Sequence, residues 1–287
     1  MPEEKQPFYP DQIIPLILTV VVFFVMVGLL FLEVFGLNRF VIAREQILIH
    51  LSWTDIAVGM TIYLKTSIDF AIFIGRLMSK FPGWKNRIMI EIGTAFGNAL
   101  GTFAILLLWD LFREVRFLMA AMILIASLVL LRLAEEGLDH VKDAEGNYRF
   151  ALFGFVRLFE KYLSNFNRAL APVLNKIVPR LSIADNDLKT GFKALFFLSF
   201  SVPFILGLDD FAGYIPLFNV VNVFGFSIGV FLGHMLLNIF LFLSPKRTIA
   251  AVKQPVISFL GSLAFVVLAI IGLIETAKLV GFLPHGT

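Results

Sequence analysis

Long apolar runs separated by short charged breaks dominate this chain. Seven runs stand out, at about 13–35, 55–78, 88–109, 117–134, 192–218, 222–243 and 256–274. Each approaches the ~20 residues an α-helix needs to cross a bilayer. The first run, Ile13 to Phe35, is almost unbroken Leu, Val and Phe and reads as a lipid-facing outer helix. Only 135–190 is polar over a long distance. Within it, Asp143 to Asn147 reads as a turn. From Phe150 to about Leu170, apolar Phe155, Leu158, Phe159, Tyr162 and Phe166 alternate at helical spacing with Arg157, Lys161 and Arg168. That pattern predicts an amphipathic helix, lying in the membrane interface or packed on the bundle as a linker. Pro172 and Pro179 break the helical pattern beyond it.

The fifth run is punctuated by Pro203, Gly207, Asp209, Asp210, Gly213 and Pro216, which predicts a broken membrane helix. Its centre also repeats an earlier stretch. Asp69-Phe70-Ala71-Ile72-Phe73-Ile74 returns as Asp210-Phe211-Ala212-Gly213-Tyr214-Ile215, 141 residues later. A second marker follows each copy, Gly93-x-x-x-Gly97-Asn98 and then Gly229-x-x-x-Gly233-His234, at an offset of 136. Two matches in the same order predict a duplicated unit of three spans. An odd number of spans inverts the second copy relative to the first. Basic residues agree with that, concentrating in the second, fourth and sixth loops (Lys80, Lys85 and Arg87; the long linker; Lys246, Arg247 and Lys253). Positive-inside bias then places the N-terminus in the cytoplasm and the C-terminus outside.

The expected architecture is an all-α polytopic membrane protein of about seven transmembrane helices. It divides into a cytoplasmic N-terminus 1–12, an extra helix 13–35, a first three-helix repeat 55–134, a cytoplasmic amphipathic linker 135–190, a second inverted repeat 191–275 and a tail 276–287. Composition supports this: 59% of the 287 residues are hydrophobic, and mean hydropathy is +0.88. The net charge of +3 reads as loop charge that sets topology, not as a nucleic-acid footprint. There is no cysteine, which excludes disulfides, thiolate metal sites and a cysteine nucleophile. Acidic Glu3, Glu4 and Asp11 against a single Lys5 argue against a signal peptide.

Ionisable residues inside membrane spans are costly and point to function. The acids here are Asp69, Glu91, Asp209 and Asp210, with Asn98, His234 and Asn238 at similar depth. Inverted repeats bring equivalent positions together near the bilayer centre, so Asp69 and Asp210 are expected to meet there. Carboxylates that meet repel unless a proton or a cation neutralises them. Oxygen ligands suit Mn²⁺, Ca²⁺ or Mg²⁺, and His234 tilts the set toward Mn²⁺ or Zn²⁺. Asp69, Asp209, Asp210 and His234 are therefore the candidate metal ligands, with Glu91, Asn98 and Asn238 completing the shell. Asp69, Asp210 and Lys65 are candidates for proton coupling. Structural readings stand beside these. Asp69 can pair with Lys65 one turn earlier, and Asp209 can cap a half-helix. Glu91 can sit near the cytoplasmic interface, His234 can be a packing residue, and the glycine pairs serve close helix packing.

Two elements resemble the LysE-type transporter superfamily, nearest to its cadmium-resistance CadD-like and tellurium-resistance TerC-like cation exporters. Thr66-Ser67-Ile68-Asp69 resembles the Thr-Asn-Ile-Asp element of the CadD-like branch, and Leu208 to Phe218 resembles its second-half Asp-Asn…Tyr-x-Pro-Phe element. The resemblance covers 55–110 and 192–275. It implies two inverted three-helix repeats, with Asp69, Asp209 and Asp210 lining the route. Phe70 stands where a second acid is common and Asp210 where Asn is common, and the first span and the long linker are additional. The resulting expectation is a non-enzymatic secondary transporter that exports a divalent cation (Mn²⁺, Cd²⁺, Zn²⁺ or Ca²⁺) by proton antiport in a bacterial inner membrane. No nucleotide-binding Gly-rich loop is present to imply ATP, and no permanently bound cofactor is expected. Its partners are the lipid bilayer, the ion and protons, without nucleic acid, and a homo-oligomer is compatible with the chain. The competing expectations are an exporter of a small organic solute such as a basic amino acid, an intramembrane enzyme, and a structural or regulatory membrane protein.

Overall fold

With no water in hydrocarbon to meet backbone polar groups, an apolar run of this length satisfies them by forming a helix. A computed structural model describes residues 13–40, 46–139, 141, 158, 160–169, 191–201, 214–218, 221–252 and 254–282, apart from the side chains of Asp69, Asp139 and Ile257. All regular structure among them is helical. The chain runs through α1 (Ile13–Phe40), α2 (Trp53–Thr66), α3 (Ile68–Lys80), α4 (Trp84–Phe112) and α5 (Arg116–Asp139). It continues through α6 (160–169), α7 (Phe192–Ser201), a 3₁₀ turn (Ile215–Leu217), α8 (Val223–Leu243), α9 (Pro245–Val252) and α10 (Pro255–Val280). Among the described residues, α1, α4, α5, α8 and α10 are each long and apolar enough to cross a membrane, and α2 with α3 forms a bent apolar pair, a broken span or a re-entrant loop, so that the spans number five or six. The protein is an all-α polytopic membrane protein.

The second span departs from its expected continuity: α2 and α3 meet at an angle of 64°. The break falls on Thr66-Ser67. The Thr66 hydroxyl turns back to the carbonyls of Ile62 (3.2 Å) and Tyr63 (3.1 Å), in competition with the backbone ladder. Ser67 leaves helical geometry at φ −86, ψ 20. The interruption expected in the fifth run lies at 202–213, outside the described residues; α7 and the 3₁₀ turn flank it. Boundaries also extend further than expected: α1 to Phe40, α4 over Trp84–Phe112, α5 to Asp139 into the linker and α10 to Val280 into the tail.

Small residues set the packing. α2 against α8 and α5 against α10 are the most extensive helix contacts among the described residues. A Cβ on Gly59 would overlap the Phe226 carbonyl oxygen, and one on Gly229 would overlap the Ile56 carbonyl oxygen, so α2 and α8 touch main chain to main chain. A Cβ on Gly233 would come within 3.0 Å of the Tyr63 ring. α4 makes the same kind of contact with α7, because a Cβ on Gly93 would lie 2.7 Å from the Phe196 carbonyl oxygen. Gly137 faces the Ser262 hydroxyl and Gly272 the Ser127 hydroxyl across the α5–α10 seam. α1 lies outside these pairs, against α4 and α8, and turns Ile17, Phe24 and Leu32 outward as its lipid face.

The two ends of the bundle differ. At one end, Asn38 exchanges hydrogen bonds with the backbone of Ile47 (2.7 and 2.9 Å), and the Asn222 amide donates to the Leu48 carbonyl (2.9 Å). The first, third and fifth loops gather there around a cavity of about 650 Å³, lined among others by Gln46, Trp109, Arg113, Glu114, Phe218 and Asn222. At the other end, Arg87 donates to the Phe242 carbonyl (3.1 Å) at the close of α8.

Gly229→Ala or Gly59→Ala would put a methyl group onto main-chain atoms. Each should lower stability by about 3 kcal/mol or more, the upper range of overpacking. Gly28→Ala, in open space on α1, should stay within about 1 kcal/mol of the parent. Thermal unfolding in detergent measures both, and equal melting temperatures would contradict main-chain contact between α2 and α8.

Candidate functional site

Where α1, α2, α4 and α8 converge, six polar side chains collect away from solvent. They are Thr19, Tyr63, Glu91, Thr94, His234 and Asn238, none more than 2% exposed. Helical spacing accounts for the grouping: His234 and Asn238 are four residues apart on α8, and Glu91 and Thr94 are three apart on α4. The close contact at Gly229 and Gly233 then brings α2 near enough for Tyr63 to reach across.

The cluster is hydrogen-bonded throughout. Tyr63 Oη meets His234 Nδ1 at 2.7 Å. The Asn238 amide nitrogen donates to Glu91 Oε2 at 2.8 Å and lies 3.1 Å from His234 Nε2 and 3.4 Å from Thr94 Oγ1. An amide nitrogen carries two hydrogens. The two shorter contacts therefore take them, which makes His234 Nε2 an acceptor and leaves Nδ1–H to donate to Tyr63. Thr94 commits its own hydroxyl proton to the Glu91 carbonyl at 3.0 Å.

Two acceptors remain. Glu91 Oε1 and Asn238 Oδ1 are buried with no hydrogen-bond partner among the described residues. The Thr19 hydroxyl lies within hydrogen-bonding reach of the Glu91 carboxyl as well as of the Pro15 carbonyl at 2.9 Å, and its one proton is shared between them. An unmet acceptor at this depth costs about 1–3 kcal/mol, and more where it is charged. Each oxygen can accept a proton or lie beside a cation. The amide can also serve a second proton loading: turned over, it presents Oδ1 to Glu91 and His234, each of which can carry a proton.

The structure brings together Glu91, His234 and Asn238 from the sequence-predicted set. Glu91 lies seven residues inside α4, fully buried, one turn beyond Arg87. His234 has both ring nitrogens engaged, so in this arrangement it positions its neighbours and has no nitrogen free for a metal. Asn98 follows Glu91 and Thr94 on the same stripe of α4, buried, with its amide nitrogen unpartnered among the described residues. Lys65 runs along α10, where a Cβ on Gly261 would overlap its Cε and Nζ. Asp69 lies in the first turn of α3, just past the break, and the neighbouring Phe70 ring packs 5.9 Å from the His234 ring. The Asp69 side chain and both Asp209 and Asp210 lie outside what the structure describes. Among the described residues, no group of three or more His, Asp or Glu is arranged to hold a metal.

Thr19, Tyr63 and Thr94 are members that sequence reasoning missed. Tyr63 had a signal in its hydroxyl, placed one turn before a polar Thr-Ser pair inside an apolar span. Thr19 had none, because α1 falls outside the repeat and is otherwise apolar there.

Above the cluster, Trp109, Tyr214, Phe218 and Phe226 stack edge to face, with centroids 5.1–5.5 Å apart. Phe226 sits two turns before His234 on α8, so this aromatic set stands between the 650 Å³ cavity and the buried polar groups. Beside it, Arg113 pairs with Asp110 at 2.6 Å and lies 4.7 Å over the Trp109 ring. Comparison with protein-family models, with curated proteins and with solved structures finds no match.

Asn238→Leu removes the shared partner of Glu91 and His234. It should cost about 1–3 kcal/mol for each group left unmet, whereas Asn165→Leu on the exposed side of α6 should be silent. Thermal unfolding reads both, and an unchanged melting temperature for Asn238→Leu would contradict the network.

Proposed function

We propose that the protein is a secondary transporter that exchanges a cation for protons, with the Glu91–Asn238–His234–Tyr63 cluster as its proton-handling centre. One observation carries this reading: two acceptor oxygens, on Glu91 and Asn238, stand at 0% exposure without a hydrogen-bond partner among the described residues. Polar groups persist at such depth when they serve a proton or ion route. A purely structural network would be expected to close its acceptors.

The cargo in this reading is a divalent metal exported from a bacterial cytoplasm, with Asp69, Asp209 and Asp210 as its ligands. Phe70 against His234 supports placing the Asp69 turn beside the proton centre. Two inverted repeats supply the mechanism, one rocking against the other. Their support is a pair of matching contacts. Gly93 on α4 abuts the carbonyl of Phe196 on α7, and Gly229 on α8 abuts the carbonyl of Ile56 on α2. The glycines are 136 apart and the carbonyls 140 apart (229 minus 93, and 196 minus 56), close to the two offsets of the sequence repeat. The orientation proposed is cytoplasmic at the Arg87 end and external at the cavity end, which follows the loop charges.

The cavity itself favours a second reading, export of a small organic solute. Its volume falls in the usual range for small-molecule sites, and Arg113, Glu114, Trp109 and Phe218 offer charge of both signs with aromatic walls.

Proteoliposomes under an imposed pH gradient test the two readings with Mn²⁺, Cd²⁺, Zn²⁺, Ca²⁺ and lysine. The expected result is gradient-driven movement of a divalent cation. Glu91→Gln should slow it by about 100-fold or more, as loss of a proton-transfer group does, while leaving the protein folded. Lysine movement alone would select the organic-solute reading. Flux that ignores the gradient, or is unchanged in both Glu91→Gln and Asp210→Asn, would overturn the proposal.

A further inference from the structure

The helix α6 has three faces, and each has a different chemistry. With Leu158 as the origin and about 100° per residue, Leu158, Tyr162 and Phe166 fall within about 80° of one another. They are 54%, 70% and 44% exposed. Leu163 and Asn167 lie further round, both buried at 7%. Glu160, Ser164, Arg168, Lys161 and Asn165 occupy the remaining arc, with Arg168 and Lys161 side by side in its middle.

The buried face has a known neighbour. The Asn167 amide donates to the Leu131 carbonyl of α5 at 3.0 Å and to Glu135 Oε2 at 2.7 Å. That contact also fixes the depth. From 117 to 131, α5 has no charged residue, and from there it carries Arg132, Glu135, Glu136 and Asp139. On α5 the charged residues therefore begin where Asn167 docks, which marks the edge of its apolar stretch.

We propose that α6 is seated in the membrane interface, with the Leu158–Tyr162–Phe166 face in the acyl region and Lys161 and Arg168 on anionic lipid headgroups. A helix at this boundary meets protein, hydrocarbon and headgroups, and the three faces match those three surroundings in kind. An aromatic and aliphatic face flanked by basic residues is the composition that interfacial helices use. Clustered basic residues beside a bilayer are drawn to anionic lipid. The helix is thus a strap that joins α5 to the leaflet, and the inference stands independently of what the protein transports.

The chain lacks cysteine, so single replacements give unique labels. Tyr162→Cys, Phe166→Cys, Lys161→Cys and Arg168→Cys, each spin-labelled in the full-length protein, would be placed in phosphatidylcholine vesicles with and without phosphatidylglycerol. Collision with oxygen and with a water-soluble nickel complex then reads the depth. The expected oxygen-to-nickel ratio is several-fold higher at 162 and 166 than at 161 and 168, and phosphatidylglycerol should raise it further. Equal ratios at all four positions would place the exposed face in water and overturn the proposal. Labels at 162 and 166 shielded from both agents would mean that protein, such as a second copy of the chain, covers that face, which overturns it equally. A depth unaffected by phosphatidylglycerol would overturn the headgroup assignment.

Discussion

A polar group inside a bilayer has no water to fall back on, so each one must find its partner within the protein. The Glu91 carboxyl, fully buried on α4, is the sharpest case here. Asn238 from α8 meets one of its oxygens, and the same amide holds His234, which holds Tyr63 on α2. Three helices are tied by this one chain of hydrogen bonds, and Thr19 brings a fourth to its edge. The arrangement leaves one oxygen of Glu91 and one of Asn238 without a hydrogen-bond partner among the described residues.

Such a chain depends on helices that approach closely. Tyr63 reaches His234 because Gly59, Gly229 and Gly233 let α2 and α8 meet at their main chains. Gly93 lets α4 and α7 do the same. Any side chain at Gly59, Gly229 or Gly233 would move α2 and α8 apart and open the Tyr63–His234 bond of 2.7 Å. The glycines that read as packing residues and the polar residues that read as a site are therefore parts of one design. Both follow from the lack of a hydrophobic force between helices in lipid, where close contact and polar bonds supply the adhesion.

Much of this was legible in the residues. Runs of apolar positions located the spans, because lipid demands an unbroken stretch of a given length. The Gly229-x-x-x-Gly233 pair pointed to a helix seam, and Glu91, His234 and Asn238 stood out as polar groups at a costly depth. The break at Thr66-Ser67 was not legible, since the run from 55 to 78 stays apolar through it; hydroxyls that turn back on their own helix leave no trace in hydropathy. Nor was the part played by Tyr63 and Thr19, which comes from how helices pack rather than from their own sequence. The repeated aspartates drew attention first, yet the network that the structure does describe is built on Glu91, with only the Asp69 turn beside it through Phe70.

The central claim is that Glu91 exchanges a proton when a cation binds. Infrared difference spectroscopy on the purified protein measures that directly, with the transported cation added and then removed. Cation binding should interchange a carboxylic-acid band and a carboxylate band, both absent from Glu91→Gln. A difference spectrum in which Glu91→Gln removes nothing would show that the buried carboxyl takes no part in ion binding, and would contradict the claim.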